Sequence, residues 1–339
     1  MLRASVIIPT RNKARFLALT LASLARQTEG GSFDVVVADD GSDDDTREVV
    51  TAQRADLALT YIRRAHQGRA ATRNAAIRAA KGDLLIFCDD DRVTHPAFVA
   101  DHVHAHTGAP RVVLGRQRAI LTTWSPDLPI APADLASIIV RNPSAAAALA
   151  GSSATLVDAA AIRDAFDATI AAFDLPEAWW ERHVAPLVAL FGPSLDGFAF
   201  PWSAGATGNL SAPRALVEQV GMFDESFVGW GLEDTELHLR LDRAGARTHV
   251  IEGGLNWHQL HPRSPTNAVE WARNAMRLLD KHESLDVCLY LRVIRRRLTF
   301  EHANRIALEA RAHPAQTRDL VAELVRLHRE SFAMVMAAG

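Results

Sequence analysis

Between residues 4 and 90, short apolar runs alternate with longer stretches in which Ala, Leu and Arg recur at helical spacing. The runs cover residues 5–9, 33–38, 58–62 and 84–88. Each is nearly continuous in apolar side chains rather than alternating, which predicts central strands covered on both faces. The intervening segments, around 15–27, 46–52 and 70–80, predict helices. Strand and helix in alternation predict an α/β domain with a mostly parallel central sheet flanked by helices. In such sheets ligands gather beyond the carboxyl ends of the strands. The residues to watch are therefore Thr10-Arg11-Asn12 after the first run, Asp39-Asp40-Gly41-Ser42 after the second and Asp89-Asp90-Asp91 after the fourth.

From residue 121 to about 200 the pattern changes to Pro-containing loops and Ala-rich helices, including 164–173 and 177–190, which predicts an inserted subdomain. Strong patterning resumes at Trp202 and continues to about His261. After Pro265 the chain reads as helical to its end and carries the basic run Arg292-Val293-Ile294-Arg295-Arg296-Arg297. The expected division is 1–120, 121–200, 201–265 and a helical C-terminal appendage, 266–339.

Composition narrows the class. With 48% apolar residues and a formal charge of -3, the 339-residue chain has material for a large core. Its 37 basic and 40 acidic residues nearly cancel, so no global field draws in nucleic acid or an anionic membrane. Cys88 and Cys288 form neither a disulfide framework nor a zinc-ligand spacing, and a reduced cytoplasmic setting is expected. The apolar stretch ending at Pro9 is too short for a signal-peptide core, and no run is long enough to span a bilayer. Peripheral contact with an inner membrane face stays compatible with this.

Three consecutive aspartates after an apolar run repel one another unless a cation or hydrogen-bond donors neutralise them. Hard oxygen ligands favour Mg²⁺ or Mn²⁺; a solvated acidic turn is the alternative at this point. The second feature is Gly229-Trp230-Gly231-Leu232-Glu233-Asp234-Thr235-Glu236, a Gly-flanked Trp before an acidic cluster that opens a helix. Acidic residues there complement the helix dipole, the favoured reading for Glu236. Asp234, just past the turn, is placed to accept the proton of an attacking hydroxyl.

These segments resemble family-2 glycosyltransferases of the Rossmann-like GT-A fold. The matching pieces are Val6-Ile7-Ile8-Pro9-Thr10-Arg11-Asn12, Val36-Val37-Ala38-Asp39-Asp40-Gly41-Ser42, Gly68-Arg69-Ala70-Ala71-Thr72-Arg73-Asn74, Gly82-Asp83 and Phe87-Cys88-Asp89-Asp90-Asp91. Gly208-Asn209-Leu210-Ser211, Gly221-Met222-Phe223-Asp224-Glu225 and the Trp-Gly-Leu-Glu-Asp-Thr-Glu cluster follow in the family's order, over residues 4 to about 261.

The resemblance implies inverting transfer of a sugar from a nucleotide diphosphate donor, a UDP-sugar first, with Mn²⁺ or Mg²⁺. It assigns Pro9, Thr10, Arg11, Asp39, Asp40, Arg73, Asp89 and Asp90 to the donor, with Arg73 near the base or diphosphate. Asp89, Asp91 and His258 are the implied metal ligands, Asp234 the base and Glu233 an acceptor-binding carboxylate. The first 120 residues then form the donor half, 121–200 an acceptor-side cap and 201–265 the catalytic half.

Trp230, Gly231, Asn209 and Trp202 are acceptor candidates, because aromatic faces stack on sugar rings. For Trp202, as for Trp124 and Trp179-Trp180, core packing is the alternative. The acceptor itself is open between carbohydrate, peptide, lipid-linked sugar and small molecule. The basic run is expected as the polar face of a packed helix paired with acidic residues, with anionic ligand binding as the alternative, and the C-terminal helices are a candidate dimer surface. A sugar nucleotidyltransferase is the competing enzyme class. It calls for a Gly-rich phosphate loop after the first strand, which Pro9-Thr10-Arg11-Asn12-Lys13 lacks. A non-catalytic sugar-binding module would not need Asp234.

Overall fold

The computed structural model describes residues 2–28, 33–262 and 264–337. Eleven strands occur among them: β1 (Ala4–Thr10), β2 (Phe33–Asp39), β3 (Leu59–Arg63), β4 (Leu84–Phe87), β5 (Arg92–Thr94), β6 (Arg111–Ile120), β7 (Thr123–Trp124), β8 (Ala154–Thr155), β9 (Asp174–Leu175), β10 (Leu210–Pro213) and β11 (Arg247–Gln259). The main sheet runs in the order β3-β2-β1-β4-β10-β6-β11-β5, with β9 beside β6. From β3 to β4 all neighbours are parallel, as the apolar runs predicted. Beyond β4 the sheet is mixed: β10 is antiparallel to both β4 and β6, β6 and β11 are parallel, and β5 is antiparallel to β11. The long excursion before β10 brings the chain back from the opposite end of the sheet, a reversal that local periodicity does not encode.

The continuous apolar runs are explained by burial on both faces. Ile7, Val36, Ala38, Leu85 and Phe87 point into one core, while Val6, Ile8, Val35, Val37, Leu84 and Ile86 point into the other. Neighbouring strand residues face opposite sides, so both positions of each pair must be apolar. The second core is closed by Leu17 and Leu21 of the helix Ala14–Leu24 and by Phe98.

The first core also takes in Leu237, Leu279, Leu289 and Phe332, so the C-terminal helices Asn267–His282, Leu285–Ile294, Phe300–Ala312 and Pro314–Ala337 pack into the same interior as the sheet. Ser284 and Thr299 cap two of them by accepting from the Val287 and His302 amides. A third cluster, including Ile120, Ile138, Ile162, Phe166, Phe173 and Trp257, lies under the inserted segment.

Two expectations need correction. The predicted helix 164–173 is broken at Ala165 into Ala159–Asp164 and Phe166–Phe173, and 177–190 contains a π-helical turn, Trp180–Val184, before Ala185–Phe191. Among the described residues the basic run makes no ion pair with an acidic side chain. Its helix stops at Ile294; Arg295 lies 5.0 Å over the Phe332 ring and donates to Ser331, while Arg296 and Arg297 are exposed past the helix end.

Candidate active site

The crevice is built at the carboxyl ends of β1, β2 and β4. At the end of β2, Asp39 accepts from the Ser42 amide at 2.8 Å and from the Tyr61 hydroxyl at 2.5 Å. Asp40 accepts from the Gln67 and Gly68 amides at 2.8 and 2.9 Å and faces His66 at 2.7 Å. Burial alone would raise the Asp40 carboxyl, but these hydrogen bonds hold it below its ordinary value. Gly41, at φ +81, packs against Arg64 and His66 backbone, which leaves no room for a side chain.

Asp40 therefore shapes the loop that leads into the helix Arg69–Ala79, while Asp39, Ser42, Tyr61 and Arg63 line a pocket of about 220 Å³. Pro9 is half-buried in β1, and the Thr10 side chain is buried beside Asp90, whose carboxyl its hydroxyl pulls down. Arg11 is exposed and meets His66 at 2.8 Å.

The three aspartates after β4 diverge. Asp89 accepts from Arg73 at 2.9 Å. Asp90 is buried 3.7 Å from Lys13 Nζ; burial pushes its carboxyl up to about 6, against the pull of Lys13. Asp91 Oδ2 lies 2.5 Å from Lys13 Nζ, 3.2 Å from His261 Nε2 and 3.8 Å from His258 Nε2. Against its burial, the Lys13 ammonium above all holds Asp91 well below the ordinary carboxylate range.

The antiparallel register of β11 on β5 sets His258 opposite Arg92, hence beside Asp91, and His261 follows just past the strand end. Asp91, His258 and His261 each offer a ligand atom, all within 4.8 Å of one another. Burial pushes His258 down to about 3, so its imidazole is neutral and able to donate a lone pair. One carboxylate and two imidazoles fit a first-row divalent ion and suit Mn²⁺ better than all-oxygen Mg²⁺ coordination. Of the ligands expected from sequence, Asp91 and His258 are brought together and Asp89 is not. His261, not among the expected ligands, joins them in space, and its signal was the His258-x-x-His261 spacing at a strand end.

Glu233 and Asp234 open the helix Glu233–Arg243 after a turn in which Gly229, Gly231 and Leu232 all have positive φ. Glu233 accepts from Arg73 at 2.8 Å, and its second oxygen is buried without a partner. Arg73 thus joins the catalytic-side helix to Asp89. Expected near the base or diphosphate, it is instead 1% exposed between two carboxylates, with its guanidinium 5.5 Å over Phe223. Asp234 accepts from the Thr235 amide at 2.7 Å, while its other oxygen is only 3.4 Å from the Thr207 amide. Burial, then the neighbouring Glu233 charge, pushes Asp234 up to about 6, although Arg73 pulls the other way.

The acceptor candidates separate. Trp230 is 38% exposed and held by its amide to Glu270, and Gly231 backs onto Trp271, so both border the opening of the turn. Asn209 and Trp202 are not available to an acceptor. Asn209 is fully buried, with its amide donating to the Arg116 and Gly254 carbonyls and its oxygen facing His102; Trp202 is 1% exposed against Phe200 and Tyr290. Asn209 and Trp202 are structural residues beneath the site. Trp180 is likewise core, and Trp179 stacks on His183.

A mixed sheet with carboxylates at its strand ends and an acidic helix N-terminus facing them defines a glycosyltransferase of the GT-A fold. The chain belongs to the family-2 glycosyltransferases. Residues 5–145 match the glycosyl transferase family 2 model, and residues 194–260 match the N-terminal domain of galactosyltransferase. An uncharacterised glycosyltransferase of Bacillus subtilis, YfnE, is 30% identical over 85% of this chain and 73% of its own. A validoxylamine A glucosyltransferase of Streptomyces hygroscopicus is 33% identical over 83% of this chain, which spans only 61% of that relative. The mannosyltransferase PcManGT of Pyrobaculum calidifontis, solved with GDP-Man and Mn²⁺, superposes with a TM-score of 0.53 over 99% of this chain and 86% of its own, at 17% identity. TarS of S. aureus, solved with UDP-GlcNAc, gives 0.53 over 82% of this chain and 66% of its own, at 17% identity. At these identities the two structures speak for the fold alone. Among the described residues no helix is long and apolar enough to cross a membrane.

Proposed function

We propose that this chain moves a sugar from a nucleoside diphosphate sugar, a UDP-sugar before a GDP-sugar, to an acceptor hydroxyl by a single inverting displacement with Asp234 as the base. The observation that carries this is the state of Asp234: a carboxylate raised to about 6, with one oxygen held only loosely, at the mouth of the turn that exposes Trp230. A base whose pKa lies near neutrality combines a large ionised fraction with a useful affinity for the proton it removes. The Thr235 amide fixes the orientation of Asp234, and Arg73, by neutralising Glu233 and Asp89, lets it stay ionised among other carboxylates.

Asp91, His258 and His261 would hold Mn²⁺, which when bound supplies positive charge to a departing diphosphate. Thr10 and Asp39, beside the pocket at the end of β2, are the proposed nucleoside contacts. The segment 121–200 and Trp230 form the proposed acceptor side. The name of the related validoxylamine A glucosyltransferase makes a small molecule the first acceptor class to try, ahead of polysaccharide, peptide and lipid-linked sugar.

The test is calorimetric titration of UDP and GDP with and without Mn²⁺, followed by transfer assays on Asp234→Asn. The variant is expected to bind nucleoside diphosphate and metal as before while losing transfer by at least about 10²-fold. Unchanged turnover would remove Asp234 from the base role. Nucleotide affinity indifferent to Mn²⁺ would remove the metal site.

A further inference from the structure

The cation that Asp91 faces in this structure comes from the protein itself. Lys13 follows β1 and precedes the helix Ala14–Leu24. Its Nζ lies 2.5 Å from Asp91 Oδ2, 3.1 Å from His261 Nε2 and 3.7 Å from Asp90 Oδ1. Asp91 and His261 are two of the three groups whose ligand atoms converge for a metal. An ammonium that donates to the Asp91 oxygen and the His261 ring nitrogen uses the lone pairs a divalent ion would need. It also places a positive charge where the ion would sit, so the two cannot share the site.

The arm that carries this ammonium is flexible. The Lys13 side chain is 21% exposed, and its contacts are all made by the flexible end of a four-carbon arm. Apart from Asp90, Asp91 and His261, the ammonium has the face of Phe16 at 5.9 Å, and the ring of His261 packs on that same Phe16. Arg69, exposed at the start of the helix Arg69–Ala79, acts on the charges of both Lys13 and Asp89, so the rim already carries a second cation facing the crevice.

We propose that Lys13 is an internal counter-ion that competes with the divalent ion for Asp91 and His261, and that the donor diphosphate relieves this competition by giving the ammonium another anion. Lys13 thereby couples metal affinity to the presence of donor. This rests on the metal site proposed above. It makes Lys13 a positioning residue, because its effect passes through Asp91 and His261.

The experiment is titration of Mn²⁺, followed by electron paramagnetic resonance of the free ion, into the full chain with and without UDP. Wild type, Lys13→Met and Lys13→Arg are compared, with thermal melts to confirm folding. Wild type is expected to bind Mn²⁺ weakly alone and at least tenfold more tightly with saturating UDP. Lys13→Met is expected to bind Mn²⁺ alone at least tenfold more tightly than wild type, and UDP should then add little. Lys13→Arg, which keeps the charge, should restore the weak metal-alone binding. Lys13→Met binding no tighter than wild type, while wild type does bind Mn²⁺, overturns the role of Lys13 and leaves the metal site standing. No binding to any of the three proteins, with or without UDP, overturns the metal site and the coupling with it.

Discussion

Replacing Arg73 by methionine removes the one guanidinium that both Asp89 and Glu233 use, at 2.9 and 2.8 Å, from a position 1% exposed. Methionine keeps the contact with the Phe223 ring but leaves two carboxylates without their cation, next to Asp234. Breaking a buried pair by deleting one partner costs about 3–5 kcal/mol, because the remaining charge is uncompensated. With roughly 2–4 °C per kcal/mol for domains approaching this size, the melting temperature should fall by on the order of 10 °C.

The sign of the pH dependence is the sharper test. In the native protein Arg73 holds Asp89 below its ordinary value in spite of burial, a contribution present above pH 4 and lost as pH falls further. Without Arg73 the same carboxyl is raised by burial, so its ionisation costs stability as pH climbs. The gap between wild type and Arg73→Met should therefore widen from pH 4 to pH 7 in denaturant melts, and Arg73→Met with Glu233→Gln should recover part of the loss. A gap under about 1 kcal/mol, or one that stays flat across that range, would refute the reasoning.

Transfer by the wild type should rise with pH through about 6, as Asp234 loses its proton, which a rate profile under limiting donor will check. Because the folded Asp234 is raised above 3.8, its ionisation opposes folding above about pH 6, so Asp234→Asn should be at least as stable as wild type at pH 7.5 in the same melts. His261→Ala should weaken Mn²⁺ binding at least about tenfold while leaving the fold intact, since His261 lies past the end of β11; unchanged affinity would exclude it as a ligand. Thr299→Ala, which removes the cap on the helix Phe300–Ala312, should cost about 1 kcal/mol of stability without affecting nucleotide binding.

The acidic triplet shows how far local reading reaches. That Asp89, Asp90 and Asp91 follow a buried strand was legible, because apolar runs and their polar stops are local. That Asp89 pairs with one cation while Asp90 and Asp91 share another was not. Asp89 is claimed by Arg73, whose helix lies on one side of the sheet, and Asp91 by Lys13, by His258 of β11 and by His261 just past its end. A sequence reader gives a small polar residue beside a motif the same standing whether it faces the crevice or the core. This is why Asn209 read as a site residue, and Trp202 did so because an aromatic face suits a sugar ring and a core alike; both are buried.

The sequence by itself determined the parallel half of the sheet, the crevice at its strand ends and the family, since these rest on hydrophobic periodicity and on ordered short motifs. Only the tertiary structure decided which carboxylate meets which cation. The pairing of Asp91 with His258 and His261, and of Arg73 with Glu233, spans separations of 167, 170 and 160 residues set by strand register and helix packing. Electrostatic energy depends on distance and burial in space, and neither is written in the spacing of residues along the chain.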